Sequence, residues 1–146
     1  MVRSKRLKPI KDLAKNNEKV AAAELGQSLE KQRSENQKLE QLFAYRREYL
    51  HEMEVRVKQG MTGATLQRYH HFLAKLDLAI AQQQEALELT RKQLDASQDL
   101  WQEKRSRSKA ISQVMDKMAV EEQREQDKKE ARQIDEMSTQ AFLRSR

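Results

Sequence analysis

The stretch VRVKQGMTGATLQRYHHF, residues 55–72, holds two of the chain's three glycines, Gly60 and Gly63. Glycine enters the left-handed backbone conformation without a Cβ clash, and so it ends helices. Gly60 therefore reads as the C-terminal cap of one helix, and Thr62 or Thr65 as the N-cap of the next. A link this short returns the second helix antiparallel to the first. The alternative is a kink in one continuous helix that dimerises in parallel. The weak helix propensity of two nearby glycines argues against it.

On either side of this stretch the sequence keeps one rhythm. Alternating steps of three and four give Ala22, Leu25, Leu29, Gln32, Asn36, Leu39, Phe43, Arg46, Leu50, Met53 and Val57 before it. After it they give Leu66, Tyr69, Leu73, Leu76, Ile80, Gln83, Leu87, Thr90, Leu94, Ser97 and Trp101, continuing through Lys104, Ser108, Ile111 and Met115 to Met118. A sustained repeat of about 3.5 residues keeps one stripe against a partner helix in a left-handed coiled coil. The chain is polar enough for disorder to be the competing reading, with 36% charged residues, 5% aromatics and a mean hydropathy of −1.02. Disorder would not hold a phase over so many turns.

The expected fold is all-α: a long antiparallel two-helix coiled-coil hairpin with a C-terminal helical overhang. It forms a single domain over residues 1–146, with helix 1 over about 5–58, a bend at 59–64 and helix 2 over about 65–140. Folding at the bend pairs Val57 with Leu66, Met53 with Tyr69, Leu50 with Leu73 and Phe43 with Ile80. Further along come Leu29 with Leu94 and Ala22 with Trp101. Polar residues enter this seam at Gln32 opposite Thr90, Asn36 opposite Leu87 and Arg46 beside Leu76, fixing register at a cost in stability. Helix 1 spans roughly 80 Å. Beyond about Met118 the second helix has no partner left, yet MAVEEQREQDKKEARQIDEMSTQAF stays helix-like, with Ile134, Met137, Ala141 and Phe142 spaced for one face.

Several function classes are excluded by composition. The absence of cysteine removes disulfides, thiol chemistry and cysteine zinc sites. No apolar run approaches the roughly 20 residues that span a bilayer, so direct membrane insertion is not expected. The basic start MVRSKRLKPIKDLAK has no apolar segment behind it and is not a secretory signal, which makes the cytoplasm the default compartment. His51, His70 and His71 point different ways on a helix and gather no further ligands, so no metal or cofactor is expected. With no phosphate loop, no nucleophile motif and no room for a water-excluding pocket, the chain reads as non-enzymatic with no catalytic residues.

Binding surfaces remain. In the heptad frame Leu42 and Tyr49 are flanking residues of the first helix, and Phe72 and Ala79 those of the second. They lie on one side at one height, with Tyr45 just outside. Such positions ordinarily carry charges, as the opposite flank does with Arg47 near Asp77 and Glu54 near His70. An apolar strip on one flank suggests protein docking; the competing reading is that these residues merely widen the seam. Separately, Arg3, Lys5, Arg6, Lys8 and Lys11 gather with KRSRSK (104–109) at the open end. That charge would suit an acidic partner, and the net charge of +6 points the same way.

Five segments in order resemble the FliJ family of the bacterial flagellar type III export apparatus. They are PIKDLA (9–14), QLFAYRREYL (41–50), RYHHFLAKLDLAI (68–80), LWQEKRSR (100–107) and QIDEMSTQAF (133–142), and the similarity covers about Leu7 to Ala141. The resemblance implies a non-catalytic partner of the export ATPase (FliI-like), similar to a rotary-ATPase stalk, that promotes ring assembly. It implies further contacts with the export gate protein (FlhA-like) and with export chaperones. The protein would lie in the cytoplasm, peripherally on the inner membrane through the apparatus. Carried over by position, gate docking falls on Leu42, Tyr45, Tyr49, Phe72, Leu76, Ala79 and Gln83. ATPase binding falls on Leu7, Ile10, Ile134 and Met137. A hairpin that fills its own seam should be a monomer. The rival readings are the equivalent stalk protein of a virulence secretion system, and a basic nucleic-acid-binding coiled coil using KRSRSK. The latter lacks the forked geometry of basic zippers, so no nucleic-acid partner is expected.

Overall fold

The computed structural model describes residues 2–145, and they are helical apart from short connections. Three helices follow one another: α1 (Val2–Arg6), α2 (Lys8–Gln59) and α3 (Gly63–Arg144). Helices α2 and α3 pack against each other as an all-α hairpin.

The bend occupies three residues, fewer than the expected 59–64. Gly60 takes φ = 97° and its N–H closes the last turn of α2 on the Val57 carbonyl at 3.2 Å. Thr62 is the N-cap of α3. Its hydroxyl oxygen accepts the Thr65 N–H at 3.2 Å, and the two threonine hydroxyls lie 2.9 Å apart. Of the two expected caps it is Thr62 that serves, and Gly63 already belongs to the first turn of α3.

The first helix differs from the expected unbroken span 5–58 at Leu7. There a turn separates α1 from α2, with Leu7 N–H donating to the Ser4 carbonyl at 3.2 Å. Pro9 explains the break. It has no N–H for the carbonyl four residues back, and its ring would collide with that carbonyl, whereas in the first turn of α2 it costs nothing. Helix α3, in contrast, runs past the expected residue 140 to Arg144. It contains no proline and no glycine after Gly63.

The chain divides into two compact units. One is Ala21–Leu100, and the other joins the segment ending at Val20 to the segment beginning at Trp101. In the first, Ala21, Tyr69, Leu73, Leu76, Ile80 and Leu94 are buried, and α3 follows the expected seam. The α2 side is rotated. Ala21, Ser28, Glu35, Leu42 and Tyr49 turn inward in place of Ala22, Leu29, Asn36, Phe43 and Leu50, though Leu50 is also half-buried. Leu25, Gln32, Leu39, Arg46 and Met53 stand in the seam as expected, while Val57 is exposed. Polar layers are hydrogen-bonded. Ser28 and Ser97 hydroxyls meet at 2.9 Å, and buried Thr90 donates to the Ala86 carbonyl at 2.9 Å. The charge pair near Asp77 is made by Arg46, at 2.7 Å, rather than by Arg47.

In the second unit Ala14 and Ser108 are buried. The Ser4 N–H and hydroxyl donate to the Glu122 carboxylate at 3.1 and 2.8 Å, so pairing reaches past Met118. From Gln123 to Ser145 every residue is exposed, and this is the overhang.

Candidate functional site: an aromatic strip

Within the Ala21–Leu100 unit, α2 and α3 bring four rings into one cluster. Tyr49 lies with its ring centroid 4.5 Å from Phe72 and 4.9 Å from Tyr69. Tyr45 meets Phe72 edge-on at 5.9 Å and neighbours Tyr49 at 6.5 Å. The spacing that makes this possible is local: Tyr45 and Tyr49 are four apart on α2, and Tyr69 and Phe72 three apart on α3, so each pair shares a helix face. Tilted and edge-on contacts at these distances are the favourable geometries for aromatic rings.

The cluster is graded from core to surface. Tyr69 is buried, and its hydroxyl donates to Glu52 at 3.3 Å. Tyr49 and Phe72 are half-buried, and Tyr45 is 48% exposed. Burial pushes the Tyr49 phenol above its ordinary value, reinforced by the neighbouring Tyr69 and Glu52.

A groove continues the strip along the hairpin, lined by Lys38, Gln41, Leu42, Tyr45 and Gln83. Gln83 is fixed there from behind. Its amide donates to the Glu35 carbonyl at 3.0 Å and to the Glu35 carboxylate at 2.5 Å. The Glu35 carboxyl sits below the ordinary glutamate range because of that Gln83 hydrogen bond, helped by Lys38 at 3.4 Å and opposed by desolvation.

Six of the seven expected docking residues thus lie at least partly at the surface: Leu42, Tyr45, Tyr49, Phe72, Ala79 and Gln83. Leu76 does not, being 6% exposed in the seam. Leu42 and Tyr49 belong to the seam as much as to its flank. The sequence reading missed Lys38 and Gln41 as groove-lining residues and Glu35 as the anchor of Gln83. Positions 38, 41, 42 and 45 share a helical face, which was the available signal.

The four residues expected at the ATPase end fall into two groups. Leu7 and Ile10 line an apolar groove with Ala110, Ile111 and Val114. Ile134 and Met137 stand on the overhang, 63% and 69% exposed. Further back on α3, the Arg105 guanidinium lies 5.2 Å from the Trp101 ring centroid. Among the described residues no group of three or more His, Cys, Asp or Glu side chains could hold a metal ion, and no helix is long and apolar enough to cross a membrane.

A family model described as Flagellar FliJ protein matches residues 4–146. The chain is also 24% identical to the Flagellar FliJ protein of Escherichia coli (strain K12) over 138 residues, covering 94% of each sequence. No solved structure matches it. The family match runs through both helices, the bend, the aromatic strip and the overhang, so it covers every feature described above: the chain belongs to the FliJ family and is a component of the flagellar protein export apparatus.

Proposed function

We propose that the protein is a non-catalytic, stalk-like component that binds the export ATPase, promotes assembly and activity of its ring, and links it to the export gate and to export chaperones. The observation that carries this reading is the aromatic strip, a partly exposed cluster of rings drawn from both helices. Partly exposed aromatics beside a small polar groove have the make-up of a protein docking site.

In this reading the gate protein docks on Leu42, Tyr45, Tyr49, Phe72, Ala79 and Gln83, with Leu76 supporting them from the seam. Export ATPase contact uses Leu7 and Ile10 at the start of the hairpin, and Ile134 and Met137 on the overhang. The basic side chains Arg3, Lys5, Arg6, Lys8 and Lys11, with KRSRSK (104–109), steer that end toward acidic surfaces. Coupling is mechanical or regulatory and takes no chemistry from the hairpin itself. The protein works in the cytoplasm at the inner membrane, held there by the apparatus.

The test is the steady-state rate of the export ATPase, with and without this protein, across enzyme concentration. Stimulation should be largest at low enzyme concentration, where ring assembly limits the rate. No stimulation by a helical, well-folded preparation would sink the stalk role.

A further inference from the structure

In the unit that joins the segment ending at Val20 to the one beginning at Trp101, the inward line of each helix fixes where its neighbours project. Ala14 and Ser108 are buried, and Glu18 and Met115 continue the two lines, half-buried. In an antiparallel pair the residue after an inward one projects to the same flank on both helices, and the residue before it to the other flank. The groove of Ile10, Ala110 and Val114 obeys this rule, since the three precede the half-buried Lys11, Ile111 and Met115.

The flank away from that groove is basic. Lys15 follows Ala14 and Lys19 follows Glu18, while Lys8 and Lys11 complete a stripe at i, i+3, i+7 and i+11 on α2. On α3, Lys109 follows Ser108, and Arg105 stands one turn before it. Six of the eight bases in residues 8–20 and 101–114 thus share one flank. The stripe runs about 17 Å along α2. The other flank carries Ile10, Leu13, Val20 and Val114, each about half exposed or more, with only Lys104 and Arg107 as bases.

This band is open to solvent and uncompensated. Five of the six bases are exposed and Lys11 is half-buried. None of them is in an ion pair among the described residues. Asp12 on the outer edge and Asp116 at the end toward α1 are the acids beside it, so the band keeps a clear positive excess. We propose that this flank rests on an anionic lipid bilayer, holding the unit against the headgroups with no segment inserted.

The make-up of the band favours lipid over other polyanions. Five of its six bases are lysines. Protein interfaces favour arginine and are poor in lysine, and paired contacts to a fixed phosphate or base edge also call for arginine. Lysine is a point charge on a flexible stem, which suits a fluid layer of headgroups. A flank two helices wide, about 20 Å, is also too broad for the roughly 12 Å major groove of DNA. At the edge of the band stands half-buried Trp101, with the Arg105 guanidinium over its ring at 5.2 Å. Tryptophan is the side chain that settles at headgroup level, apolar body inward and N–H toward water. The proposal does not rest on the stalk reading. It adds a direct contact to the membrane location which that reading draws from the apparatus.

The test uses the whole chain and vesicles at physiological ionic strength. The protein should sediment with vesicles of equal parts phosphatidylglycerol and phosphatidylcholine, and not with phosphatidylcholine alone. Emission of Trp101, the chain's single tryptophan, should move to the blue on the anionic vesicles. Lys109→Glu and Arg107→Glu then make a matched pair: both side chains are exposed, two residues apart, and the total charge changes equally. Each charge near such a surface is worth about fivefold in affinity, so Lys109→Glu should weaken binding about twentyfold. Lys15→Glu should do the same from α2, whereas Arg107→Glu should cost at most about threefold. Helicity should be unchanged in all three variants.

Absence of binding to the anionic vesicles overturns the proposal, as does an equal loss in Lys109→Glu and Arg107→Glu, which would reduce the effect to net charge. Tighter binding to random duplex DNA at the same salt, lost in the same variants, would assign the band to nucleic acid and overturn it too. Stimulation of the export ATPase is measured without vesicles, so failure of the stalk reading is scored separately.

Discussion

Tyr49 and Phe72 meet at a tilt across the two helices, 4.5 Å between ring centroids, and both are only half-buried. The same two side chains therefore close the seam on one side and form the middle of the aromatic strip on the other. Under the proposed docking role, stability and recognition would meet at this point, with Tyr45 toward the surface and Leu76 in the core.

Tyr45→Ala and Leu76→Ala should separate the two roles. Tyr45 is 48% exposed, so its removal should cost the fold about 1 kcal/mol. Affinity for the export gate protein should fall roughly thirtyfold, as for a hot-spot aromatic. Leu76→Ala should cost about 2–5 kcal/mol in denaturant unfolding through the cavity it leaves. If Tyr45→Ala binds the gate protein as tightly as the unaltered chain, the strip is not the docking surface.

Acid should weaken the seam around Glu35. Its carboxyl binds a proton less readily when folded, chiefly through the Gln83 hydrogen bond. That contribution is complete above the ordinary glutamate range and is lost as pH falls through the lowered folded value. Glu35→Gln should retain the contact with Gln83 but lose the titration. Its thermal midpoint should drop less than that of the unaltered chain between about pH 6 and pH 3. Equal drops would show that Glu35 is not the titrating group.

The bend depends on two residues by different mechanisms. Gly60→Ala places a Cβ at φ = 97°, where space is available but the backbone is strained, and should cost about 1 kcal/mol. Thr62→Ala removes the acceptor for the Thr65 N–H and should cost about 0.5–2 kcal/mol. Chemical denaturation of each variant checks both values. A neutral Thr62→Ala would mean that water replaces the cap.

At the ATPase end, Met137→Glu should reduce stimulation of the export ATPase without changing helicity, because Met137 is 69% exposed. A reduction greatest at low enzyme concentration would fit a defect in ring assembly. Unchanged stimulation removes Met137 from the contact.

The fold was readable because a seam of leucines leaves a periodic trace and Gly60 marks where it reverses. The α3 seam followed its expected positions from Leu66 to Met118. The α2 face was harder. A three-four rhythm has two phases that share Leu25, Gln32, Leu39, Arg46 and Met53 and differ in between. Hydrophobicity favoured Leu29 and Phe43, but the partner helix takes Ser28 to pair with Ser97 and Glu35 to hold Gln83. Those preferences belong to the pair and cannot be seen in one strand of sequence. The same shift explains why Leu42 and Tyr49, expected on the flank, also serve the seam, whereas Leu76 is buried simply because it is a seam position of α3. The break at Leu7 was missed by the sequence reading, although its signal was there in Pro9, which fits the first turn of a helix and not its interior.

The hydrogen-bonded layers at Ser28–Ser97 and Glu35–Gln83 also act as alignment marks. Far from a bend, a purely leucine seam can tolerate local over- or underwinding, since one apolar neighbour is nearly as good as the next. A hydroxyl pair or an amide–carboxylate pair is satisfied in one alignment and left wanting in others. Because the aromatic strip takes half its rings from each helix, a small slip would leave the hairpin folded yet set Tyr45 and Tyr49 out of level with Phe72. The polar layers trade some stability for keeping the two halves of that surface abreast.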